Sequence, residues 1–285
     1  MSTIYKDKNI TKMYYGSTPV YSFSVEDGSG TGSGLDFSLI GYNDKLSKEI
    51  NDELNQPLVY SKQLYDEWDS SRNSAYSLYY GNSNLIYAPN IDTSNVNTFD
   101  SMFYNCTNLK VVPPYNTSNL VSCARMFYGC STLTSVPMLD FSNAIYINEM
   151  FRNCSSLITI PEYNTINVTN FNYLFYGATN LETLPEIDTT NASNMTYFFG
   201  PSYMSSLTKL TKIGGFKNLK ISITTDFLSR TPNLTTESLM NVINKLYDLT
   251  GNNLSGQTLN FGSANLNKLT AEQIAVATAK GWTLT

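Results

Sequence analysis

An α/β solenoid with a parallel sheet on one face is the fold this sequence predicts, and three observations predict it. The segment "SMFYNCTNLKVVP", from Ser101, returns as "RMFYGCSTLTSVP" from Arg125 and as "EMFRNCSSLITIP" from Glu149, a step of 24 residues. The same step holds at several columns together: proline at 89, 113, 137, 161 and 185, leucine at 85, 109, 133, 157 and 181, and asparagine at 95, 119, 143, 167 and 191. Inside each copy, apolar residues first recur at helical spacing and then alternate in a short extended run. A fixed period of roughly 20 to 30 residues marks repeats that each bury an apolar face only against their neighbours.

Each repeat opens on turn and N-cap chemistry, as in Asp92-Thr93-Ser94-Asn95. Val96, Phe99, Met102, Phe103 and Cys106 follow at steps of three and four, which predicts one face of a short helix. Leu109 and Val112 precede Pro113 in a brief strand that the proline closes, because proline brings no amide hydrogen to a ladder. Cys106, Cys130 and Cys154 share a column with Ala178. A position that takes Cys or Ala calls for a small buried side chain, so free thiols are expected there. A disulfide between stacked coils is the alternative, since strand spacing would bring neighbouring thiols close. Cys123 stands off the column.

The flanks read differently. Residues 1–26 alternate as short strands and are expected to form a small β module. Asp27–Gly34, "DGSGTGSG", is a flexible linker by composition. Residues 35–84 carry helical patterning in "NDKLSKEINDEL" and "VYSKQLYDEWDSS", and are expected to be a helical cap over the first coil of repeats spanning 85–215. The last copy gains residues in "YFFGPSYMSSLTKLTKIGG", as where a stack is being closed. Residues 216–285 form the C-terminal cap: Leu239, Val242, Ile243 and Leu246 sit at helical spacing, Thr270 and Gln273 make a capping-box pair, and "QTLNF" and "GWTLT" are expected strands.

Composition narrows the function. The formal charge is −5, charged residues are only 14%, and aromatics reach 13% with 21 Tyr and 14 Phe. Without basic clusters there is no surface suited to nucleic acid, since neutralising phosphates needs grouped Lys and Arg. The chain has no histidine, which removes the usual general base, the Ser-His and Cys-His pairs and every His-containing metal site. No cofactor or metal is expected. No apolar run approaches the roughly 18 residues of a membrane span, and "MSTIYKDKNITKMYYG" has no apolar h-region, so no secretory signal is expected. The catalytic alternative is a glycan-degrading enzyme using Asp92, Asp140 and Asp188, which share a column with Asn116 and Asn164. A catalytic acid does not tolerate Asn in alternate copies, whereas a turn residue does. The chain is therefore expected not to be an enzyme.

The pattern "MFxxCxxLxxxPxxDTSNVxxM", over about Leu85 to Gly200, resembles the BspA-type leucine-rich repeat in its 24-residue variant. That resemblance implies an α/β solenoid used for surface binding. The "KMYYGSTPVYS" segment resembles N-terminal modules of virion proteins of tailed phages of gut bacteria, and the C-terminal segment resembles the closing module of such phage repeat proteins. Together they imply a virion structural protein, mounted on other virion proteins by residues 1–26 and displaying its repeats to a host glycan or protein; a homo-oligomer fits the same picture. A bacterial cell-surface adhesin is the alternative. The candidate contact row is the variable column Tyr87, Val111, Ser135, Thr159 and Thr183, flanked by Lys110, Thr134, Ile158 and Glu182, with Tyr115 and Tyr163 as added stacking surfaces.

Overall fold

The computed structural model describes residues 4–7, 10–15, 18–24, 37–38 and 68–285. Two units are distinct, residues 1–68 and 69–285. In the first, β1 (Ile4–Asp7), β2 (Ile10–Tyr15), β3 (Thr18–Ser24) and β4 (Phe37–Ser38) form one antiparallel sheet in chain order. The three expected N-terminal strands are present. The sheet does not stop at the Gly/Ser run: β4 pairs Phe37 with Phe23 and Ser38 with Ser22, so residues beyond the linker belong to the same sheet. Residues 37–38, expected in a helical cap, are thus a strand. The linker and most of that expected cap lie outside the described residues.

The second unit is a stack of coils. Parallel bridges run Ser74↔Thr98, Thr98↔Ser122, Ser122↔Tyr146, Tyr146↔Asn170 and Asn170↔Asn194, one per coil. The stack starts a coil earlier than the expected boundary at 85, for Tyr79 already lies flat on Phe103 at 5.4 Å between ring centroids. Phe103, Phe127, Phe151 and Phe175 continue that stack at 5.5–5.9 Å. Val96, Phe99, Met102, Phe103 and Cys106 are all fully buried, as their spacing requires.

The segment that carries them is not a helix. Residues 99–106 are successive turns, with Met102 N donating to Phe99 O, Tyr104 N to Ser101 O and Cys106 N to Phe103 O, each at 3.0 Å. Ser101 and Asn105 take left-handed angles, φ 56° and 57°, and the two positions stay left-handed in later copies, as at Arg125, Gly129, Glu149, Asn153, Tyr173 and Gly177. With left-handed residues at these two positions, alternate amides, theirs included, face the next coil while the ones between bond within the turn. Phe99 N donates to Ser122 O (2.8 Å), Ser101 N to Ala124 O (2.9 Å), Phe103 N to Met126 O (2.9 Å) and Asn105 N to Tyr128 O (2.7 Å). Such bonds net roughly 0.5–1.5 kcal/mol each, against roughly 1–2 kcal/mol for a left-handed non-glycine residue. Four bonds for two such residues per coil favour the ladder over an isolated helix turn, whose amides would bond only within themselves.

Side chains repeat the device. The Asn95, Asn119, Asn143, Asn167 and Asn191 amides donate to carbonyls one coil back, at Ser70, Ser94, Ser118, Ser142 and Ile166, over 2.6–3.0 Å. That explains why asparagine holds its column.

Among the described residues of this unit, regular strands appear only where the stack closes and in the cap beyond it. β5 (Thr183–Leu184) pairs in parallel with β7 (Lys212–Ile213), and β6 (Ile187–Asp188) with β8 (Phe216–Lys217). The step from Thr183 to Lys212 exceeds the regular one, which accommodates the added residues of the last copy. In the cap, α1 (Thr236–Lys245) is closed by the Thr235 side chain on Ser238 N, and its Leu239, Val242 and Ile243 are buried. After β9 (Gln257–Leu259) and α2 (Ser263–Leu266), α3 (Ala271–Ala279) opens with the expected Thr270–Gln273 capping box. β10 (Trp282–Leu284) runs parallel to β9. A bridge from Ile223 to Leu259 ties this pair to the stack.

Candidate functional site

The row named from sequence lies where each coil passes from its turn segment toward its proline. Leu109, Leu133, Leu157 and Leu181 anchor it from inside, and Val112, Val136, Ile160 and Leu184 point inward after it. Between them Val111, Ser135 and Thr159 are exposed, Val111 at 48%, while Tyr87 and Thr183 are half-buried. Tyr87 bridges Val111, and the Thr183 hydroxyl meets that of Thr159 at 2.9 Å. Lys110, Thr134, Ile158 and Glu182 stand exposed beside them. Five coils therefore contribute one surface strip of mixed hydroxyl, aliphatic and charged groups.

Tyr115 and Tyr163 do not belong to that surface. Each is 5% exposed, and each hydroxyl donates to a proline carbonyl one coil back, Pro89 O at 2.8 Å and Pro137 O at 2.9 Å. They close the core. Phenol rings with their hydroxyls satisfied inside offer no face for stacking a ligand.

A second row went unread in the sequence although its period is the same. Tyr80, Tyr104 and Tyr128 stack in parallel at 4.6 and 4.4 Å on the turn side of the coils. Arg152 continues the column, its guanidinium 5.3 Å from the Tyr128 ring centre and 4.4 Å from that of Tyr176. Glu149 accepts from Arg125 Nε at 2.8 Å and from Arg152 Nη1 at 2.9 Å, which holds the guanidinium over the rings. Tyrosine at three successive steps of the repeat was the available signal.

The cysteine column is interior. Cys106, Cys130 and Cys154 are free and fully buried. Their sulfurs donate to Tyr79 O, Phe103 O and Phe127 O over 3.0–3.1 Å, each a carbonyl of the preceding coil. Burial pushes the Cys106 thiol up to about 12 and raises Cys130 and Cys154 as well. Thiolate, the reactive form, is thereby suppressed. Cys123, off the column, lies 3.7 Å from the Met150 sulfur.

The aspartate column is occupied with turns. Asp92, Asp140 and Asp188 accept from the amides of Ser94, Ser142 and Thr190 at 2.9–3.0 Å, and Asn116 and Asn164 accept from Ser118 and Ile166 in the same way. The backbone amide of Ser94 holds the Asp92 carboxyl below its usual range. At Asp188 burial works upward, but Thr190 and the Lys217 ammonium at 2.9 Å outweigh it and the carboxyl is lowered. A general acid in glycoside hydrolysis needs the opposite displacement.

Stacked coils with interior columns conserved in chemistry and an exterior that varies define a repeat scaffold, and comparison with known proteins gives the family. The family described as "Mycoplasma protein of unknown function, DUF285" matches residues 73–157 and 145–221, together more than half of the chain. The chain belongs to that family. Its match begins at 73, where the stack begins. No curated protein matches the sequence. Among solved structures, a leucine-rich repeat protein from Bacteroides ovatus aligns at 17% identity over 66% of this chain with a TM-score of 0.28, and the chain spans 58% of that protein's length.

Proposed function

We propose that this chain is a non-enzymatic display protein, a structural component of a phage virion whose repeat solenoid meets a host surface or a neighbouring particle protein. The observation that carries the reading is the strip Val111–Ser135–Thr159, exposed on coils whose interior columns hardly change. A scaffold that holds its core columns and frees its outer ones is suited to binding along a line, as repeat surfaces are. The resemblance to BspA-type leucine-rich repeats supports the surface-binding role, and that of "KMYYGSTPVYS" to phage virion modules supports mounting through the N-terminal sheet. Many copies on one particle would turn modest affinity per strip into firm attachment.

Mass spectrometry of purified particles tests the location: peptides of this chain are expected in stoichiometric amount. Their absence, with the chain recovered from cell envelopes, would establish the adhesin alternative instead. For the strip, Val111→Lys, Ser135→Lys and Thr159→Lys together should abolish adsorption while shifting the melting temperature little, because all three side chains already face solvent. Normal adsorption by that triple variant would make the coils a spacer.

A further inference from the structure

Two columns of the intercoil ladder share a direction, and they end in a cleft. One column of bonds runs Ala75 N to Thr98 O, Phe99 N to Ser122 O, Cys123 N to Tyr146 O, Ile147 N to Asn170 O and Phe171 N to Asn194 O. A second runs Ser77 N to Asp100 O, Ser101 N to Ala124 O, Arg125 N to Asn148 O, Glu149 N to Asn172 O and Tyr173 N to Thr196 O. In both columns every amide points toward the C-terminal end of the stack. Their peptide dipoles add head to tail with the positive end on that side, as along the hydrogen-bonded rows of an α-helix, while the column beside them, from Val121 N to Asn97 O through Ser193 N to Thr169 O, runs the other way.

The next amides in line are those of Met195 and Tyr197, and neither donates to any acceptor among the described residues. The following coil, which should cover them, turns away: Ile223 N donates to Thr258 O and Ile223 O accepts from Asn260 N. Between the two coils opens a cavity of about 210 Å³ lined by residues 193–197 and 221–225. Met195 is only 2% exposed, so its unpaired amide is buried, a condition that folded proteins rarely leave unanswered. Five residues with hydroxyls line the same space; those of Ser193 and Ser222 donate elsewhere, to Thr169 O and Gln257 Oε1, which leaves Thr196, Thr224 and Thr225, and none of the ten lining residues is charged. Ser193, at the end of the opposite column, is among the lining residues, and Asp226 follows Thr225 in the chain.

We infer that this cleft is an oxyanion site: a sulfate or phosphate group, free or as an ester, accepts from the amides of Met195 and Tyr197 and from the hydroxyls of Thr196, Thr224 and Thr225. Backbone amides converging at the positive end of aligned dipoles are a recurrent way to hold such groups without a cation. The site is separate from the binding strip and stands or falls without it.

Titration of the full-length, 15N-labelled chain with sodium sulfate tests the assignment, with sodium chloride at matched ionic strength as control. Saturable downfield shifts of the Met195 and Tyr197 amides are expected with sulfate and not with chloride. Galactose 6-sulfate as a second titrant separates the sources: the same shifts show that the site takes the ester, and their absence beside a sulfate response shows a site for the free ion. Thr224 is exposed, so Thr224→Asp should fold and weaken binding roughly tenfold or more by placing a like charge in the cleft, whereas Thr224→Asn should bind nearly as the parent. No saturable shift, an equal response to chloride, or unchanged affinity in Thr224→Asp would overturn the proposal.

Discussion

Ser101, Arg125, Glu149, Tyr173 and Tyr197 share no common side-chain chemistry across the column, yet all hold φ between 52° and 59°. Their column is defined by backbone need alone, which is why no residue type marked it in the sequence. The companion column was more legible, since Asn105, Gly129, Asn153 and Gly177 are the residues that tolerate left-handed angles best. The Ser101 hydroxyl makes no hydrogen bond among the described residues, so Ser101→Gly should relieve the local strain. Relief of about 1–2 kcal/mol exceeds the roughly 0.5–1 kcal/mol entropic cost of glycine. Chemical denaturation should therefore show a small gain in stability, and a loss for Ser101→Val, whose β-branch suits this angle least. The buried thiols give a second check at this scale. Cys106, Cys130 and Cys154 should resist an aromatic disulfide reagent in native buffer and react fully after unfolding; prompt labelling of all three would contradict their burial.

At the scale of the element, apolar spacing of three and four was read as a helix, and the burial it implied is correct while the conformation is not. Successive turns also return every third or fourth side chain to one face, so periodicity cannot separate the two when each segment is under two turns long. The Asn and Gly pair four residues after each variable position was the discriminating mark. By contrast α1 and α3 were legible, α1 from its apolar face behind a Thr N-cap and α3 from its capping box and the glycine at 281 that ends it. The exposure of Val111, Ser135 and Thr159 was legible too, although Tyr115 and Tyr163 were not separable from them, since a buried tyrosine whose hydroxyl finds a carbonyl looks like an exposed one in sequence. The junction of β6 and β8 gives this scale its prediction. Asp188 is ionised more readily when folded than its ordinary value of 3.8, held by Thr190 and Lys217. The stability it contributes is therefore present at neutral pH and fades as pH falls below about 4 toward the lowered folded value. In Asp188→Asn the acid limb of a melting-temperature profile should flatten; an unaltered limb would show that the pair contributes nothing.

Across the whole molecule, neighbouring coils are not equivalent. Gly129 sits where a side chain would run into the Asn105 carboxamide, and Gly177 stands the same way against Asn153. Tyr115 and Tyr163 fill the core in alternate coils, with Leu139 and Ile187 in the coils that follow them. Asp and Asn also alternate, from Asp92 through Asn116, Asp140 and Asn164 to Asp188. The spatial unit is therefore a pair of unlike coils that interlock. Removing residues 117–164 deletes one such pair and leaves Asn105 facing Gly177 and Tyr115 facing Ile187. Removing residues 117–140 sets Asn105 against Asn153 and Tyr115 against Tyr163. Urea melts should show that the shorter deletion costs at least as much stability as the longer. A lengthening or shortening of this array that preserves its fit must then come in even steps, so that gene duplications of a single repeat are penalised at birth while those of two are silent at every seam.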